Sequence, residues 1–137
     1  MSNTETVQEL YAAFGRGDVP AILTRLADDV VWEFESSPVD SLGGIRHGKT
    51  ETVGFFQAIG ADHVNPQLTI AEFVASGDTV MTIGRYTATM KATGKKIDTP
   101  IAHYWKFRDD KVIRYVGFSN TALVVDALQQ SSAAASH

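Results

Sequence analysis

The sequence predicts an α+β domain, and three observations lead to it. Apolar residues recur at spacings of three and four through the first quarter of the chain, the mark of helices with one buried face. From residue 66 onward they alternate, the mark of half-buried strands. Short turns rich in Gly, Asp and Ser separate the alternating runs at hairpin lengths. Helices followed by hairpin-connected strands place the helices on one face of an antiparallel sheet.

Val7, Leu10, Tyr11 and Phe14 share one face of a first helix, capped by Asn3 or Thr4 and ended by Gly15 and Gly17. Asp18 caps a shorter second helix with Pro20 near its start and Ile22, Leu23 and Leu26 inward. Asp28-Asp29 breaks that helix. Val30 to Glu35 alternates, with Val30, Trp32 and Phe34 on the buried face and Val31, Glu33 and Glu35 on the other. Ser36 to Gly48 reads as a loop, long enough to wall or cover a site. Val53, Phe56 and Ile59 mark a third helix that Gly60 closes. The sheet follows: a strand through Leu68, Ile70 and Phe73-Val74, a turn at Ser76-Gly77-Asp78, a long strand from Val80 to Met90, a turn at Thr93-Gly94-Lys95, a strand from Ile97 to Phe107, a turn at Arg108-Asp109-Asp110, and a strand from Val112 to Phe118. Asn120-Thr121 caps a terminal helix from Ala122 to Leu128. Residues 1–130 read as a single domain and the low-complexity stretch 131–137 as a disordered tail.

Composition narrows the function. At 137 residues, 44% hydrophobic and 20% charged, the chain can bury one core and is neither a disordered nor a coiled-coil sequence. Twelve basic against sixteen acidic residues, with no basic cluster, argue against a nucleic-acid partner. The absence of cysteine excludes disulfides, thiolate metal sites and a cysteine nucleophile, and fits a cytoplasmic protein. No apolar run approaches the roughly 20 residues of a membrane helix, so no membrane partner is expected. His47, His63, His103 and His137 are scattered, so no metal site is read; without a Gly-rich phosphate loop no cofactor is indicated.

Two groups of segments carry a family resemblance. Leu10-Tyr11-Ala12-Ala13-Phe14-Gly15-Arg16-Gly17-Asp18 with Leu26-Ala27-Asp28-Asp29-Val30-Val31-Trp32 resembles the opening of SnoaL-like proteins, of the nuclear transport factor 2-like superfamily. Arg46-His47-Gly48 and the stretch Ala102 to Val112 match the same pattern, so that the resemblance covers roughly residues 5 to 128. It implies a cone-shaped α+β barrel, in which a curved, mostly antiparallel sheet packs on about three N-terminal helices and encloses a pocket. Members of the superfamily include ketosteroid isomerases, cyclases, epoxide hydrolases, dehydratases and non-catalytic binders, so the fold alone does not give the function.

His103 is the most informative residue. On the strand from Ile97 to Phe107 the odd positions are apolar except Thr99 and His103, which turns His103 inward beside Trp105 and Asp98 outward. An imidazole there can act as an acid or base; the competing reading is a neutral core histidine bonded to a Tyr or Thr. Tyr11 stands where the resemblance to ketosteroid isomerases implies an oxyanion-binding tyrosine. Their general-base aspartate would fall near Phe34, which cannot take a proton, and their second oxyanion donor at His103 or Ala102, with face alternation favouring His103. The usual steroid isomerase mechanism is therefore not expected.

The inward faces offer no pair of carboxylates for epoxide hydrolysis. Asn120, where cyclases of this kind often carry Asp, serves as a helix cap. Asp40 reads as a turn residue of the long loop, and Arg46 and His47 precede the third helix, where they could meet an anion. Trp32, Phe34, Phe56, Tyr86, Met90, Trp105 and Tyr115 are the ligand-binding candidates, with Tyr115 a possible hydrogen-bond donor. The expected function is a cofactor-free isomerase, cyclase or lyase acting through His103 on a small hydrophobic molecule. The alternative is a non-catalytic binding domain for such a molecule. Arg114, Val116 and Phe118 on the outer sheet face, with the resemblance, imply a homodimer.

Overall fold

The computed structural model describes residues 1–37 and 39–129. The predicted tail, 131–137, lies outside the described residues. Helix α1, Asn3–Gly15, has its cap one residue earlier than the sequence suggests. Ser2 is that cap, because Ser2 Oγ accepts the Glu5 N–H at 3.1 Å while the Glu5 carboxylate accepts the Ser2 N–H at 2.8 Å. This reciprocal pair needs an acid three residues on, which neither Asn3 nor Thr4 has. Helix α2, Val19–Leu23, is capped by Asp18 as its sequence predicts.

Strand β1, Leu26–Glu35, takes in Leu26, expected on α2, and the two aspartates expected to separate helix from strand. The aspartates fall at a register shift between Leu26 and Val31 and point to solvent, and Asp29 meets Arg108 at 3.0 Å. The predicted loop Ser36–Gly48 contains a short strand, β2, Gly44–His47, paired antiparallel with β1. Helix α3, Gly48–Asp62, buries Thr52, Phe55 and Ile59. Strand β3, His63–Ser76, starts before Pro66. Asn65 takes a positive φ of 54° and the register slips between Val64 and Gln67. Pro66 therefore sits in a bulge of an edge strand, where its missing N–H breaks no ladder.

Strands β4 (Thr79–Met90), β5 (Lys96–Arg108) and β6 (Lys111–Ser119) follow as hairpins. Asp109 and Asp110 at φ 52° and 63° make the two-residue turn between the last two, which matches the twist of the strands. Helix α4, Thr121–Leu128, is capped by Asn120, whose side-chain oxygen accepts the N–H groups of Ala122 and Leu123.

The strands form one curved, mixed sheet in the order β2-β1-β6-β5-β4-β3. All neighbours are antiparallel except β1 and β6. The register shifts in β1, β3 and between β5 and β6 bend the sheet, which stays open at β2 and β3. At one shift, between Ile70 and Glu72, the β3 backbone crosses so close to Gly84 that any Cβ there would meet the carbonyl of Thr69 and, at 2.9 Å, the Cα of Ile70. Helix α1 lies against β3 and β4, α3 against β1, and α4 against β5. The concave face thus receives the helices.

Candidate functional site

Strand register arranges the inward side chains in rows across the sheet. Val80, Trp105, Tyr115 and Trp32 form one row, and Thr82, His103, Gly117 and Phe34 the next. Gly84, Ile101 and Ser119 follow, then Tyr86 with Thr99. Together with α1, α3 and the segment around Asp40, these rows enclose a cavity with about 70 Å³ of room for the centres of water-sized molecules.

His103 is buried on the wall of this cavity. Its Nδ1 lies 2.6 Å from the Tyr11 hydroxyl, which also meets Thr82 Oγ1 at 2.6 Å and accepts the Trp105 indole N–H at 3.2 Å. Tyr11 stacks on the imidazole, with ring centroids 5.7 Å apart. A phenol has one proton to give and two lone pairs to fill, so these three partners saturate it. Tyr11 therefore fixes the ring of His103 and has no bond left for a second acceptor in this arrangement. The other imidazole nitrogen, Nε2, has no protein partner among the described residues. Burial holds the His103 imidazolium form down to about pH 3 and pushes the Tyr11 phenol up to about 12. Both are neutral at physiological pH.

The Tyr115 ring stacks on Trp32 with centroids 3.9 Å apart and lies across Gly117. A Cβ at Gly117 would run into the Tyr115 hydroxyl and the Phe34 ring. The absence of a side chain at 117 thus lets both rings shape the cavity. Burial raises the Tyr115 phenol, and proximity to Tyr11 raises it further. The Trp32 indole N–H is buried with no hydrogen-bond partner among the described residues, which costs on the order of 1–3 kcal/mol unless an acceptor arrives.

Of the sequence candidates, Tyr11, Trp32, Phe34, Phe56, Tyr86, His103, Trp105 and Tyr115 are brought together on the cavity wall. Met90 is not. It lies beyond Tyr86 and packs with Ile97, Val124 and Ala127 under α4, where Ile97 and Val124 rather than Met90 reach the cavity wall. Phe55 stands beside Phe56 on the wall, which the spacing of Val53, Phe56 and Ile59 does not single out. Arg46 commits its guanidinium to the carbonyls of Ser41 and Leu42, at 2.9 Å each, and covers the Phe55 ring. The His47 N–H is taken by the Glu51 carboxylate at 2.8 Å. Glu33 pairs with Arg114 on the outer face.

Two further cavity residues escape the sequence pattern. Asp40 is buried, held by the Ser36 hydroxyl at 2.7 Å and the Leu42 N–H at 3.1 Å. His63 is buried too, with Nδ1 2.5 Å from the Tyr86 hydroxyl. A carboxylate therefore does face this cavity, from the segment between β1 and β2 where Asp40 reads as a turn residue. Burial lowers the His63 pKa, opposed by the charges of Asp40 and Asp62. Burial also raises that of Tyr86, and the charge of Asp40 adds to it.

A family model described as a SnoaL-like domain matches residues 7–115. The chain belongs to the SnoaL-like family. No curated protein matches it. Among solved structures it is similar to an NTF2-like protein of unknown function from Burkholderia pseudomallei, at 29% identity and a TM-score of 0.88, over 94% of this chain and 99% of that one. An NTF2-like protein from Burkholderia thailandensis is 27% identical, with a TM-score of 0.87 over 94% and 98%. TerC, co-crystallised with polyporic acid, is 25% identical, with a TM-score of 0.84 over 92% and 97%. The architecture is thus the SnoaL-like one that the opening segments and the stretch around His103 resemble. An aromatic cluster with a buried histidine on the concave face fits the small-molecule proteins of this family.

Proposed function

We propose that this SnoaL-like chain, one domain over residues 1–130, takes a flat, mostly apolar small molecule into its cavity and acts on it as a cofactor-free isomerase, cyclase or lyase. The observation that carries this reading is the inward His103, clamped by Tyr11 at 2.6 Å, with its second nitrogen unpartnered on an aromatic wall. Tyr86, Phe34, Phe56, Trp32, Trp105 and Tyr115 supply faces for a planar ligand. The neighbour TerC, co-crystallised with polyporic acid, supports a small-molecule ligand.

The chemistry follows from the neutral imidazole. When the Tyr11 O–H donates its hydrogen bond to Nδ1, Nε2 carries the ring hydrogen and points a donor at a ligand oxygen. A neutral donor in a dry site polarises a carbonyl without a formal charge to desolvate. With the other tautomer Nε2 is an acceptor, and a proton can pass from ligand to ring. Tyr115 and the unpartnered Trp32 N–H are further donors for the developing negative oxygen.

The second reading is a non-catalytic binder on the same scaffold, favoured by the depth of the His103 shift, since a base titrating at about 3 is weak. Turnover assays on enones and epoxides with a pH profile separate the two. Activity lost in His103→Ala and kept in His47→Ala is the enzyme's result; absence of turnover with retained binding is the binder's.

A homodimer belongs to the proposal. Val74, Met81, Tyr104, Val116, Glu33 and Ile45 form a row across the outer sheet face, with Ile83 and Phe118 in the next row. Val74, Met81, Ile83, Phe118 and Ile45 are exposed, an apolar surface suited to a second copy. No helix among the described residues is long and apolar enough to cross a membrane. The cytoplasmic location we propose is tested by cell fractionation.

A further inference from the structure

The cavity has a second polar end. Thr82, beside His103, and Tyr86, beside His63, lie on the same face of β4, four residues apart, which separates their backbones by roughly 13 Å. The wall between them is formed by the apolar Gly84, Ile101 and Leu68, with a single hydroxyl, that of Ser119, in the row of Gly84 and Ile101. At the far end Asp40 and His63 are both buried and face the cavity, with Tyr86 bonded to His63 at 2.5 Å. Each Asp40 oxygen has one protein donor, from Ser36 or Leu42, and so keeps a free lone pair. His63 Nε2 has no protein partner among the described residues. Nothing in the chemistry assigned to His103 uses these groups. Burying a carboxylate and an imidazole beside a cavity is costly unless something polar meets them.

We propose that Asp40, His63 and Tyr86 form a second subsite that binds a hydroxyl, so that the ligand is an elongated aromatic molecule with an oxygen function at each end. The hydroxyl donates to Asp40 and accepts from His63 Nε2–H, the tautomer set when the Tyr86 O–H donates its hydrogen bond to Nδ1. An oxygen at the opposite end meets His103 Nε2, and the rings between lie against the apolar wall. The inference rests on the binding reading above and adds the second anchor and the length of the ligand.

Two probes test it: biphenyl with one para hydroxyl, and biphenyl with a para hydroxyl on each ring, titrated against the quenching of Trp32 and Trp105 fluorescence. The wild type is expected to bind the two-hydroxyl probe about tenfold more tightly, the gain of one buried hydrogen bond to a charged partner. His63→Leu and, as the milder change, Tyr86→Phe are expected to bring the two probes within about twofold of each other, with circular dichroism confirming the fold. With imidazole nitrogens labelled, the two-hydroxyl probe is expected to shift the rings of both His63 and His103. Equal binding of the probes by the wild type overturns the second subsite and leaves the binding reading standing. A preference that survives in both variants overturns it as well. Binding of neither probe to the wild type overturns both readings.

Discussion

The Tyr11 hydroxyl and His103 Nδ1 stand 2.6 Å apart although 92 positions separate them in the chain. Helix α1 and strand β5 are thereby tied together through the site itself, with Thr82 on β4 and Trp105 on β5 completing the shell around the phenol. Stability and function are joined at this point. The same bonds that satisfy a buried hydroxyl choose which nitrogen His103 presents to the cavity.

Tyr11→Phe removes one oxygen and leaves three polar partners short of a bond. The loss is expected to be about 1–3 kcal/mol, since buried donors and acceptors without partners cost more than the bond itself contributes. Urea denaturation measures it. The variant is also expected to change the tautomer balance of His103, visible in its imidazole nitrogen shifts. An unchanged stability would mean that the shell is not formed.

The acid side of the stability profile should carry the signature of the buried histidines. Folded His103 titrates at about 3 against 6.5 for a free imidazole. Between those values the unfolded chain binds a proton that the folded chain refuses. Stability from this group is therefore complete above 6.5 and falls as pH drops toward 3, by up to about 1.4 kcal/mol per unit. His63, lowered by burial, acts in the same direction. Denaturation midpoints are expected to fall from about pH 7 to 5 in the wild type, and to fall less steeply in His103→Gln. Parallel slopes would contradict the burial of a neutral ring.

Gly117 and Gly84 test packing in opposite ways. In Gly117→Ala the new methyl meets the movable Tyr115 ring end and Phe34. A cost of about 1–3 kcal/mol and weaker binding of aromatic probes are expected. Gly84→Ala meets backbone, at Thr69 and Ile70, which cannot turn away. Its thermal midpoint is expected to fall further than that of Gly117→Ala; the reverse order would mean that β3 does not cross where the bulge places it.

The outer face makes a separate claim. Phe118 is exposed in the middle of the sheet, on the strand between β1 and β5. Sedimentation of the wild type at micromolar concentration is expected to give a dimer of about 30 kDa, twice the 14.9 kDa chain. Phe118→Glu is expected to give the monomer. A monomeric wild type removes the dimer from the proposal.

The parts of this molecule that are legible in its sequence are those with a period. Alternation along β5 is enough to turn His103 inward, because the pleat leaves no other choice once Trp105 and Ile101 are buried. The spacing of Val7, Leu10 and Phe14 does the same for α1. Asp40 has no such signal. Its place in the wall comes from bonds to Ser36 and the Leu42 N–H inside an irregular segment. His63 is masked because Pro66 reads as the beginning of a strand, whereas an edge position and a bulge at Asn65 let β3 start earlier. Strand β2 is masked by Gly43-Gly44, a pair that reads as a turn. Met90 alternates correctly and is buried, but it lies too far along β4 to reach the cavity. Periodicity reports the face of a strand, not the position along it where the helices leave a space.

Whether His103 is a neutral ring that Tyr11 aims at a bound ligand can be read from its imidazole nitrogen spectrum, recorded with and without the two-hydroxyl biphenyl probe. A neutral ring from about pH 5 to 8, with Nδ1 hydrogen-bonded to Tyr11 and Nε2 shifting as the probe binds, is the expected result. A ring that titrates near 6.5, or one whose Nε2 is unmoved by bound probe, would contradict it.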